Sequence, residues 1–199
     1  NWPRRQAVIY WRKADERGSA TWTVGFIIVA IFLLAGLAYG VKLYVADILA
    51  AQSLKSQSTD QQIMAMSKAY NLAPWREMYG FGLAQLSWVK ANELAQGAMT
   101  ATGTPAMEAQ TAAQSYVQQA KAILDQTSKL VKNQSAGVKM AALLYETIGD
   151  IDGAMASYQE LSELDPNNPW PYAKLAQLKV MQAYRAEDRE TKDKLVEEA

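Results

Sequence analysis

From Gly18 to Val41 the chain carries no charged residue, and its centre reads VGFIIVAIFLLAGLAYG, from Val24 to Gly40. A helix rising about 1.5 Å per residue spans roughly 36 Å over that run, enough for a hydrocarbon core about 30 Å thick. The run is too long and too uniformly apolar for an ordinary core helix. It also exceeds the apolar region of a cleaved secretory signal, and no convincing cleavage site follows it. The expectation is a single transmembrane helix over 21–45, with a basic segment, 1–20, before it and a helical domain, 46–199, after it.

The flanks give the direction. Residues 1–20 hold Arg4, Arg5, Arg12, Lys13 and Arg17 against Asp15 and Glu16, whereas residues 48–199 hold 14 basic and 17 acidic groups. Positive charge gathers on the cytoplasmic side of a span. Residues 1–20 are therefore expected in the cytoplasm and 46–199 outside it, with the bilayer of the cell (inner) membrane as the first partner. Trp22 marks one interface, and Tyr39 and Tyr44 the other. Gly36 and Gly40 form a small-xxx-small pair, the spacing that lets a second membrane helix approach. Residues 3–17 are open to two readings, an interfacial helix or a loop from a preceding span.

Several chemistries are excluded by composition. The chain has neither Cys nor His. Disulfides, thiolate sites, zinc fingers and imidazole catalysis fall away, and no catalytic, cofactor-binding or metal-ligating residue is assigned. Twenty basic residues balance 20 acidic ones, so nucleic acid is not an expected partner. The run Asp150, Asp152, Gly153 opens like a calcium loop, but Leu161 stands where the twelfth-position Glu is needed. Gly80 and Gly82 fit no phosphate-binding fingerprint.

Beyond the span, Ala, Gln, Leu, Lys, Met and Glu dominate, and strand-like alternation is missing. Breakers at Ser56–Asp60, Pro74, Gly97–Pro105, Asn133–Gly137, Gly149–Gly153 and Pro166–Pro171 divide the chain into helices. The expected segments are 21–56, 60–71, 76–96, 105–131, 135–148, 151–164 and 169–185, with a charged continuation to 198. The fold class is thus all-α. The unit 135–168 repeats a small and an aromatic residue in each of two helices. Ala142 and Tyr145 serve the first helix, Gly149–Asp150 the turn, Ala154 and Tyr158 the second helix, and Pro166 the stop. Small side chains let helix pairs approach, and the tyrosines fill the wider gaps beside them.

On these residues the chain resembles the tetratricopeptide repeat family. The resemblance implies a helical-hairpin solenoid of about three repeats. Ala120 and Leu124 keep the phase in 101–134, and Leu175–Ala176 keep it after Pro169. The family's usual work is to hold a peptide, a helix or a folded protein. That implies a membrane-anchored scaffold, an accessory subunit of a bacterial envelope complex, with Trp75, Trp88, Trp170 and Tyr172 as candidate partner-binding aromatics. The methionines are expected to fill the core.

Two other readings remain open. NLAPWREMY, ANELAQG and LDPNNPWPY, within 60–96 and 154–176, also resemble the C-terminal region of bacterial O-antigen ligase-like and polymerase-like membrane glycosyltransferases. Under that reading the catalytic loop lies upstream, and no catalytic residue carries over to this chain. The third reading is a filament or surface-layer subunit, although a pilin-like protein needs a Glu early in the apolar run and 18–41 has none.

Overall fold

The computed structural model describes the backbone of residues 4–185 and the side chains of 22–184. All the described elements are helices: α1 (Arg4–Lys55), α2 (Thr59–Leu72), α3 (Glu77–Thr100), α4 (Thr104–Ser128), α5 (Ser135–Ile148), α6 (Ile151–Leu164) and α7 (Pro169–Arg185). Two compact units result, divided between Val45 and Ala46 within α1. The expected charged cap over 186–199 lies outside the described residues.

In the first unit, the large apolar side chains of α1 lie exposed among the described residues. Phe26, Phe32 and Leu33 are about three-quarters exposed, at 75%, 73% and 69%. The window of highest mean hydropathy, 2.6, has none of its residues buried. The helix is long and apolar enough to cross a membrane. Its start differs from the expected 21. The backbone is helical from Arg4, so the loop reading of 3–17 does not hold. No proline or glycine stands between Arg4 and Arg17 to interrupt it.

In the second unit, helices α2 to α7 each pack against their chain neighbours in that series, with α5 also against α3. Ser58 stands extended at the N-cap of α2, and Pro74 bars continuation beyond its end, where the Ala73 amide still donates to the Ala69 carbonyl at 3.1 Å. Lys90 on α3 and Asp60 on α2 form a 2.8 Å ion pair between the two helices. The break expected over Gly97–Pro105 is much shorter. Helix α3 continues through Gly97 to Thr100, because one glycine costs a helix only about 1 kcal/mol. The chain turns at Gly103, in the left-handed region at φ 71°, and restarts with Pro105 in the first turn of α4.

Helices α5 and α6 each have 14 residues, and Pro169 opens α7 at the same place in the repeat as Ser135 opens α5. The two residues between α5 and α6 do two jobs. Gly149, at φ 79°, lets the Asp150 amide reach the Tyr145 carbonyl at 2.9 Å and close the first helix. The Asp150 carboxylate then accepts from the Gly153 amide at 3.2 Å and opens the second.

The small positions set how closely helices approach. Ala142 and Ala154 are fully buried, as are Ala120 and Leu124 at the equivalent phase of α4. A second device was not apparent from the sequence. Gly80 on α3 faces Thr127 on α4, and a Cβ there would come within 2.0 Å of the threonine Oγ1. Thr127 is itself fully buried and donates to the Ile123 carbonyl at 2.8 Å. We predict that Gly80→Ala destabilises the domain by about 1–3 kcal/mol through overpacking, despite alanine's better helix propensity. Thermal unfolding should show the loss, and adding Thr127→Ala should restore most of it. A Gly80→Ala variant as stable as the parent would rule out this close approach.

Candidate binding groove

The repeat tyrosines pack in the core and stitch helices together. Tyr145 donates to Asp125 on α4 at 2.7 Å, and its oxygen lies 3.3 Å from Ser128 Oγ. Tyr158 is fully buried and donates to Glu146 on α5 at 2.7 Å. Burial, foremost, and then the carboxylate neighbour push the Tyr158 hydroxyl well above the ordinary phenol range, so it stays protonated and donating. Burial does the same for Tyr145. A third example joins α1 to α3: Tyr79, 1% exposed, donates to Asp47, which also receives Arg76 at 2.6 Å.

Glu146 sits at the crossing of three helices. It accepts from Tyr158 on α6 and pairs with Lys174 on α7 at 2.8 Å. Burial alone would raise its pKa, but the hydrogen bonds from Lys174 and Tyr158 outweigh burial and hold it below the ordinary carboxylate value.

The end of α1 and the first helices of two packed pairs, α3 and α5, line a common groove of about 630 Å³. Asp47, Ala50, Ala51 and Leu54 come from the end of α1. Glu77, Met78, Phe81 and Gln85 come from α3, and Ala136 and Met140 from α5. Met66 of α2 supports the floor beside Gly82. Leu54, Met78 and Met140 are exposed, at 81%, 68% and 48%. Such a concave apolar surface with a few polar groups is the usual form of a binding site.

None of the four aromatic candidates lines this groove. Trp170 meets Tyr158 edge-on at 5.3 Å, and Lys139 lies 4.8 Å from its ring centre. It is occupied in packing α7 onto α6, which is why a tryptophan at that helix start suits the repeat. Tyr172 is about half exposed, with its hydroxyl 3.5 Å from the Ser162 and Pro166 carbonyls. Trp75 lies in the α2–α3 turn and Trp88 midway along α3, half-buried. The expectation for methionine also needs correction. Met66 is buried, but Met64, Met78, Met99, Met107 and Met140 are exposed. Gly36 and Gly40 lie on α1 with nothing within 4 Å of where a Cβ would stand. Of the repeat framework, Ala142, Tyr145, Ala154 and Tyr158 are buried, Gly149 holds its left-handed turn, and Pro166 is exposed at the end of α6.

Among the described residues, no group of three or more His, Cys, Asp or Glu is placed to hold a metal ion. Residues 144–182 match the family model for the TPR repeat, a span from the middle of α5 to near the end of α7. No curated protein matches the chain. The second unit is therefore a TPR-like stack of helical hairpins, following one long apolar helix.

The Glu146 network carries a pH signature. Its depressed pKa contributes stability that is present above the unfolded value, about 4.3, and lost as pH falls through the folded value. We predict that Glu146→Gln lowers stability by about 1–2 kcal/mol at pH 7, as expected for hydrogen bonds to a charged group. In thermal melts from pH 7 to pH 3, the gap between variant and parent should narrow as pH falls below the unfolded value. A gap that persists undiminished at pH 3 would show that the carboxylate charge contributes nothing.

Proposed function

We propose that this chain is a membrane-anchored TPR-like scaffold whose groove between α1, α3 and α5 holds a protein partner within a larger envelope complex. One observation carries the reading. The groove, lined by α1, α3 and α5 over residues 47–140, immediately precedes the 144–182 segment that matches a TPR repeat, and helical-repeat stacks offer such surfaces to ligands. The apolar run of α1 supports the anchor. The basic excess in 1–20 supports a cytoplasmic N-terminus in the cell membrane, with 46–199 outside. The role is binding and not catalysis.

The test is photocrosslinking in native membranes. A photoreactive residue replacing Met78 or Met140 should yield a discrete adduct, identified by mass spectrometry. The same residue at Glu163, exposed on α6, should not. Adducts at Glu163 but not in the groove would overturn the assignment.

Topology is testable separately, because the chain has no native cysteine. Ser56→Cys should react with a membrane-impermeant maleimide on intact cells, and Ser19→Cys only after lysis. The reverse pattern would invert the orientation.

A further inference from the structure

The chemistry of the groove narrows the kind of partner it takes. Its charged lining residues are Asp47 and Glu77, both acidic, and no Lys or Arg lines it among the described residues. The two carboxylates are not equivalent. Asp47 is satisfied by Arg76 and Tyr79. Glu77 is exposed and makes no hydrogen bond or ion pair with any described residue. The groove thus holds one unneutralised negative charge beside an apolar surface. A partner with an acidic face would place like charges together, at a cost in affinity.

Side-chain size along the groove points to the form of the partner. Ala50 and Ala51 on α1 and Ala136 on α5 are small, and Ala51 and Ala136 are exposed. Small side chains on these two helices leave room for a further backbone to approach closely. The long, flexible Leu54, Met78 and Met140 stand exposed around that space. Unbranched methionine adapts to the knobs of an incoming helix.

Resting on the proposed binding role of this groove, we infer that its occupant is an amphipathic helix of a partner protein, with a basic residue bordering its apolar face to meet Glu77. The helix lies between α1 and α5 across α3, with apolar side chains against Met78, Phe81 and Met140. Asp47 is left to its structural pairing with Arg76.

The experiment uses the full chain in amphipol and two fluorescein-labelled helical peptides with the same leucine face. One has lysines bordering that face and the other glutamates, and binding is read by fluorescence polarisation. The lysine peptide should bind, and the glutamate peptide should bind at least tenfold more weakly. Glu77→Gln should weaken the lysine peptide about three- to fivefold, the size of an exposed charge pair, and Glu77→Lys should reverse the preference. Glu77 is exposed, so these variants leave the core untouched. Ala51→Trp, which fills the groove, should abolish binding of either peptide. Equal binding of both peptides, or a preference unmoved by Glu77→Lys, overturns the inference. If neither peptide binds while groove crosslinks to a cellular protein form, the inference fails and the scaffold reading stands. If both are absent, both fail.

Discussion

A buried phenol must place its hydroxyl, and that requirement governs how the helices of the second unit meet. Tyr79, Tyr145 and Tyr158 each lie at or near full burial, and each donates to a carboxylate on another helix: Asp47, Asp125 and Glu146. An unsatisfied hydroxyl in these positions would cost about 1–3 kcal/mol. The rings fill the gaps between helices, while the hydroxyls fix which turn of one helix faces which turn of the next. The carboxylates or their tyrosines make further polar contacts. Asp47 receives Arg76, Glu146 receives Lys174, and Ser128 lies beside the Tyr145–Asp125 pair. Alanine sets the distance between helices, and the tyrosine–carboxylate bonds set the register.

That division explains what the sequence could show. The segment from Ser135 to Arg185 is legible because its signals are local. Gly149 and Asp150 end one helix and begin another within two residues, and Ala142, Tyr145, Ala154 and Tyr158 recur at fixed spacing within 14-residue helices. The carboxylate partners are not legible. Asp125 lies 20 residues before Tyr145, and Asp47 lies 32 before Tyr79. No spacing rule separates either from the solvated acids around it.

The α3–α4 pair departs from the repeat length, and there the breakers place the turn but not the end of α3. Gly97 was expected to end a helix, yet it lies on one, because a glycine that packs against nothing imposes only its modest helical cost. The glycine with structural consequence is Gly80, which looks no different in the sequence. Its role depends on Thr127, 47 positions away, being held with its hydroxyl on the Ile123 carbonyl.

The groove illustrates the same limit at the level of function. Aromatic residues are conspicuous in a sequence, but the edge-to-face contact of Trp170 with Tyr158 shows why conspicuous rings at helix starts serve packing. The groove is made from Leu54, Met78 and Met140, on three helices. Met78 is exposed although it immediately precedes the buried Tyr79. The same tyrosine bears on the charge of the site. Tyr79 and Asp47 together occupy Arg76, the cation next to Glu77 in the sequence. The interaction that ties α1 to α3 therefore also engages the cation that adjoins the groove's exposed acid in the chain. Stability and the charge of this face share one cluster of side chains.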